Sequence, residues 1–246
     1  MEPHKIVSQQ EWLAAHRAHV AEEKALTRAR DALSSKRREL PWVKVDKTYT
    51  FDTPHGRRTL GELFDGRSQL IVYHFMMGPD WEQGCPGCSL ISDHVDGALV
   101  HLAHRDVTYV AVSRAPLAKI EAFRQRMGWQ FHWVSSNGSD FNYDYYVSFT
   151  PEQQREGKVF YNFETVDFEC DELPGLSVFF KDEAGDIFHT YSAYGRGGEP
   201  LIGTYTYLDL TPKGRDEKRN MMEWLRHHDR YDDAQTPPHE VGQGCH

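Results

Sequence analysis

Two cysteines, Cys85 and Cys88, stand where an apolar run, residues 69–76 (QLIVYHFM), passes through a short loop into the stretch GCPGCSLISDHV. A near-continuous apolar run of that length suits a strand covered on both faces. Beyond the cysteines, Leu90, Ile91, Val95, Leu99 and Leu102 fall on one helical face, and Gly97 admits a bend. The pair therefore sits on the first turn of a helix fed by a buried strand. Residues three apart on a helix are neighbours, so the two sulfurs can close a small disulfide ring. The free N–H groups and partial positive charge of a helix N-terminus favour thiolate over thiol. On this reading Cys85, on the loop side, attacks, and Cys88, one turn in, resolves the mixed disulfide. Pro86 fits an early helical position, where its missing N–H costs little. The same spacing also serves as half of a zinc site, and a buried, inert pair is the third reading. Cys170 and Cys245 stand singly, and His74, His94 and His101 show no paired spacing, so no metal ion is expected.

The remaining chain reads as alternating helices and strands. Ser8-Gln9-Gln10-Glu11 is a capping-box pattern, with Val7 and Trp12 placed as a hydrophobic staple, and opens a helix to about Arg38. Its apolar face is thin, so it packs along its own body or against a second copy, the latter giving a homodimer. Pro41 ends it. Val43, Val45, Tyr49 and Phe51 alternate as in a strand or hairpin, Pro54-His55-Gly56 is a turn, and residues 59–64 read as a short helix. Strands are predicted at 107–112, 131–134, 176–181 and 187–191, the last as an edge strand, with a helix at 116–127. The β-α-β-α-β order around the cysteines is a parallel crossover pattern. Residues 205–210 read as extended, and 216–228 as a final helix. His227, His228 and Asp229 diverge on such a helix and make no metal site. His94, His101 and His104 read as surface histidines.

Several segments carry a resemblance. GCPGCS, GSDFNYDYYVSFT, LPGLSVFFKDEAGDIFHTYSAYGRG and GTYTYLDLTPKGRDE are similar to a bacterial family, DUF899, described as thioredoxin-like predicted dithiol-disulfide oxidoreductases; the similarity spans roughly residues 5–231. It implies an α/β thioredoxin-like fold: a central mixed sheet flanked by helices, with a long N-terminal helix and an aromatic-rich insertion. The expected organisation is a helical extension at 1–40, the thioredoxin-like domain at 41–231 with the insertion at about 135–172, and a tail at 232–246. The insertion, dense in aromatics around 141–146 and 160–168, either covers exposed core or walls the dithiol and selects its partners. Departures from ordinary thioredoxin are plain. The dipeptide between the cysteines is Pro-Gly, Gly84 precedes the first cysteine with Trp81 nearby, and no acidic residue lies in the preceding strand. Gly78 and Glu82 stand where a peroxiredoxin site carries Pro and Thr. In thioredoxin-like folds a cis-proline loop faces the dithiol; here Gly175 rather than Pro174 falls at the usual place. Cys170, close in sequence to that loop, is an auxiliary candidate or a buried, inert residue.

Composition limits the partners. A formal charge of −9 without a basic stripe speaks against nucleic acid, and no run approaches a membrane span. The N-terminus lacks a secretory pattern, and four cysteines in 246 residues are no disulfide scaffold, so a reducing cytoplasm is the default compartment. The glycines around Arg196 lack the Lys-Ser/Thr of a phosphate loop, and no flavin or nicotinamide site is evident. Arg196 remains a candidate anion contact. The expected activity is thiol–disulfide exchange without a cofactor, on a disulfide-containing protein or small molecule, with a separate reductant. The alternative is a non-catalytic binding protein whose cysteine pair is a structural disulfide or holds a metal.

Overall fold

The computed structural model describes residues 4–232. The tail expected at 232–246, with Cys245, lies outside them from residue 233 onward. The chain divides into two compact units, one ending at Trp42 and one beginning at Val43. The first is built on α1 (Gln9–Arg38), opened by the reciprocal Ser8–Glu11 capping box and closed by Lys36, Arg37 and Arg38 against the helix dipole; it buries no residue.

The second unit holds the sheet. β1 (Val43–Lys44) is followed by the hairpin β2 (Thr50–Thr53) and β3 (Gly56–Thr59) and a 3-10 turn, Glu62–Phe64. Then come β4 (Gln69–His74), α2 (Pro86–Ser92), α3 (Asp96–His104), β5 (Val107–Ser113), α4 (Leu117–Arg126) and β6 (His132–Ser135). The insertion contributes α5 (Phe141–Asp144), α6 (Pro151–Glu156) and the hairpin β7 (Lys158–Tyr161) and β8 (Glu164–Asp167). β9 (Gly175–Lys181), β10 (Ile187–Tyr194) and α7 (Gly203–Asp209) complete it. The eight-stranded sheet runs β1-β10-β9-β4-β5-β6-β2-β3, with β4, β5 and β6 parallel and β9 antiparallel to β4. This is a thioredoxin-like α/β arrangement, a mixed sheet with helices on its faces.

Strand alternation assigns the two cores. Ile71, Tyr73 and Phe75 point to the face covered by α2, α3, α4 and α7; Leu70 and Val72 point to the other, where Phe64, Phe141 and Phe179 pack. A smaller core under the insertion joins Val147, Phe149, Val159, Tyr161 and Tyr194. The insertion thus covers core on the face away from α2 and builds a core of its own.

Four sequence expectations need correction. The helix after the cysteines breaks at Asp93–Val95 into α2 and α3. The strand at 187–194 is not the sheet edge, because Val43 and Lys44 pair outside it. Residues 205–210 lie largely in α7: helical spacing buries Tyr205 and packs Leu208 against the core while Tyr207 stays exposed, and that packing overrides a β-prone composition. Residues 216–227 form turns instead of a helix. Glu217 accepts from the backbone N–H of Met222, which a helix would have given to the Lys218 carbonyl, and the Glu223 carboxylate accepts from the N–H groups of Lys218 and Arg219. No helix among the described residues is long and apolar enough to cross a membrane.

Candidate functional site

The site forms where the chain leaves β4 and enters α2. Phe75 continues the strand, its N–H donating to the Val112 carbonyl at 2.9 Å. The loop then returns so that the Cys85 N–H donates to the Met76 carbonyl at 3.0 Å. Cys85 is the N-cap of α2, in extended geometry (φ −57°, ψ 131°), with Pro86 next. Its carbonyl accepts from the backbone N–H and hydroxyl of Ser89, each at 2.9 Å, which locks the first turn. Gly84 is required: a Cβ there would lie 2.6 Å from Phe75 Cε1. Its carbonyl accepts from His227 Nε2 at 2.9 Å. That contact fixes the Nε2–H tautomer and ties the C-terminal segment to the cysteine loop.

The two sulfurs differ in environment. Cys85 is half-buried and Cys88 is 2% exposed; both are free thiols. The Cys88 thiol, donating to Cys85, holds Cys85 below the ordinary thiol range; burial works against this, and the backbone N–H groups of Cys88 and Gly87 assist. Burial pushes Cys88 well up, and its hydrogen bond and charge interaction with Cys85 add to the rise. The Met76 N–H points at Cys88 Sγ from 3.5 Å. The pair is therefore asymmetric, with thiolate favoured at the more accessible sulfur.

A cavity of about 140 Å³ opens over the pair. Its walls are mainly apolar, with Met76, Ile91, Ile202, Met221, Met222 and Leu225 among the lining residues. Pro174, Gly175 and Arg196 line it as well, Arg196 ion-paired to Glu199 at 2.8 Å. All described peptide bonds are trans, Pro174 included. β9 begins at Gly175 opposite His74, and a Cβ at Gly175 would come within 2.9 Å of both Tyr194 and Val147. From the insertion, the Tyr161 hydroxyl donates to the Pro174 carbonyl and accepts from the Gly195 N–H, each at 2.7 Å, so it fixes two loops that border the cavity.

The remaining candidates fall elsewhere. Trp81 packs on the core beside the loop but does not line the cavity, and Lys119 holds its carbonyl at 3.3 Å. Cys170 is half-buried between the main core and the insertion core and does not line the cavity. His94 pairs with Thr204 and His228 with Asp93, while Asp229 pairs with Arg126. Among the described residues no three His, Cys, Asp or Glu side chains converge in a way that would hold a metal ion. Sequence reading missed Tyr73, whose place two residues before Phe75 on the helix-covered face was a usable signal. Met221, Met222 and Leu225 were legible as apolar contacts of the C-terminal segment, but not that they line the cavity over the cysteines.

The profile of a family described as "Bacterial protein of unknown function (DUF899)" matches residues 1–231. No curated protein sequence matches. Among solved structures, the chain is similar to the peroxidoxin BcpB from Mycobacterium tuberculosis, at 13% identity and a TM-score of 0.40, over 66% of this chain and 94% of that one. A Xanthomonas campestris peroxiredoxin Q mutant is similar at 13% identity and a TM-score of 0.42, over 64% and 90%. The mitochondrial 2-Cys peroxiredoxin from Plasmodium falciparum is similar at 14% identity and a TM-score of 0.39, over 72% and 96%.

Proposed function

We propose, for a chain that belongs to the DUF899 family, a thiol–disulfide oxidoreductase acting on small apolar disulfides. The observation that carries this reading is the unlike pair of free sulfurs on the first turn of α2, the ionisable one opening on an apolar cavity. The Cys85 thiolate attacks one sulfur of R–S–S–R, forming Cys85–S–S–R and releasing R–S⁻. Cys88 then loses its proton and attacks Cys85, forming the Cys85–Cys88 disulfide and releasing the second R–S⁻. Two electrons pass from the dithiol to the substrate, and a separate dithiol reductant restores the pair. The cavity's size and apolar walls favour a compact apolar disulfide over a folded protein.

The test is turnover of a small aryl disulfide with a dithiol reductant. Cys85→Ser is expected to lose about 100-fold or more, as removal of a nucleophile does. Cys88→Ser is expected to trap the mixed disulfide, visible as one aryl-thiol adduct by mass. Wild-type turnover by Cys85→Ser would overturn the reading. A pair that is oxidised as purified and resists strong reductants would instead favour a structural disulfide.

A further inference from the structure

Exchange through the pair, the reading on which this inference rests, requires both sulfurs to ionise in turn. Cys85 ionises at a helix N-terminus. Cys88 must do so at 2% exposure, after Cys85 has been tied up in the mixed disulfide. An anion formed there needs a donor. The Met76 N–H is one, at 3.5 Å, an ordinary N–H···S separation, but it is a single donor for a sulfur that can accept several, and β4 carries no carboxylate.

The structure holds a second donor. Tyr73, on the α2-facing side of β4, is 2% exposed and lines the cavity with Cys85 and Cys88. Its hydroxyl is buried with no protein partner at full hydrogen-bond geometry. Yet it lies close enough to Cys88 for each group to act on the other's ionisation, and after burial Cys88 is the group that acts most on its phenol. Buried hydroxyls are rarely left unpaired, and one beside a sulfur that must become an anion has a partner waiting. Tyr109, on the helix-covered face of β5 and in register with Ile71, carries another unpartnered hydroxyl; the charge of Cys88 acts on it too, but with no hydrogen bond between the two.

We propose that Tyr73 is the positioning residue of the resolving step, its hydroxyl donating a hydrogen bond to the Cys88 thiolate as that thiolate forms. Cys88 gives up its proton, and its electron pair makes the bond to Cys85. The Cys85–S–R bond breaks with its pair on the leaving sulfur, and R–S⁻ takes up the proton Cys88 lost. Tyr73 keeps its own proton throughout: burial raises its phenol well above the ordinary range, which suits a donor and not a base.

The experiment compares Tyr73→Phe with wild type, using a symmetric nitroaryl disulfide in single turnover. Release of the first arylthiolate reports attack by Cys85, and release of the second reports resolution by Cys88. Phenylalanine keeps the ring and removes only an unpartnered hydroxyl, so the fold is expected to stand, as thermal melting will show. The first release is expected unchanged and the second slowed about tenfold, the worth of one charge-assisted hydrogen bond. Independently of any substrate, the Cys88 thiolate titration in a Cys85→Ser background is expected to move up by about one pH unit in Tyr73→Phe. Tyr109→Phe is expected to leave both readouts near wild type. An unmoved titration with an unslowed second release overturns the assignment, and so does equal slowing in both tyrosine variants. If wild type releases no arylthiolate, the redox reading fails instead, and the Cys88 titration still decides the role of Tyr73.

Discussion

Gly84 stands one residue before Cys85 with its α-carbon wedged between two buried rings. A methyl group there would meet Phe75 Cε1 at 2.6 Å and Phe123 Cε1 at 2.9 Å, and neither ring has room to retreat inside the core. Gly84→Ala is therefore expected to cost about 1–3 kcal/mol, the usual penalty of overpacking, and to displace the loop that aims Cys85. Urea unfolding measures the first effect and the rate of Cys85 alkylation the second; a variant equal to wild type in both would contradict the argument. The glycine's presence was legible in GCPGC, and its reason was not. The rings it must avoid come from the end of β4 and from α4, separated from it by 9 and 39 residues of chain. The cysteines were easier to read because the order strand, loop, Cys-x-x-Cys, helix contains their chemistry locally. Tyr73 lay in the same legible strand, but only the depth of Cys88 makes its hydroxyl matter.

At the scale of elements, the strands and helices around the cysteines were readable because burial on both faces writes long apolar runs. The failures cluster in the C-terminal segment, which covers the cavity. There one carboxylate oxygen, Glu217 Oε1, accepts from the Tyr205 hydroxyl at 2.8 Å, the Met222 N–H at 2.8 Å and the Trp224 indole at 3.1 Å. These partners are spread over α7 and a turn, so no helical or strand period records them. Met222 sits at φ +63°, a left-handed conformation costly for a non-glycine residue and held by these contacts. Its sulfur would lie 3.3 Å from a Cβ at Gly87, between the two cysteines. Removing the hub with Glu217→Ala leaves three donors to find new partners. The expected loss is about 1–3 kcal/mol, with alkylation of Cys85 accelerated several-fold as Met221 and Met222 loosen from the cavity. Unchanged alkylation would mean that the segment does not control access to the sulfur.

Across the whole molecule, pH acts through groups buried on both faces of the sheet. His74 lies on the face opposite the dithiol, 1% exposed, its Nε2 bonded to Ser177 at 2.9 Å and its Nδ1 without a partner. Burial, with a smaller push from His189, takes it down to about 3, and His189 and His227 are lowered as well, chiefly by burial. Glu172, buried beside Arg114, is raised by burial to about 7 and acts in the opposite sense. For a histidine whose folded value lies below its unfolded one, the unfolded chain binds the extra proton as the pH falls through about 6.5. Stability from His74 is thus fully present above that value and is lost progressively toward its folded value near 3. Glu172 contributes equally to wild type and to a His74 variant if the two act independently, so the comparison isolates His74 together with its smaller coupling to His189. His74→Gln keeps a neutral polar group facing Ser177 and has no proton to gain. Between pH 6 and 5 wild-type stability is expected to fall more steeply than that of the variant by up to about 1.4 kcal/mol per pH unit, one proton's worth, as measured by urea unfolding at each pH. Parallel curves would mean that His74 already carries its proton in the folded state, with its unpartnered nitrogen satisfied in some other way.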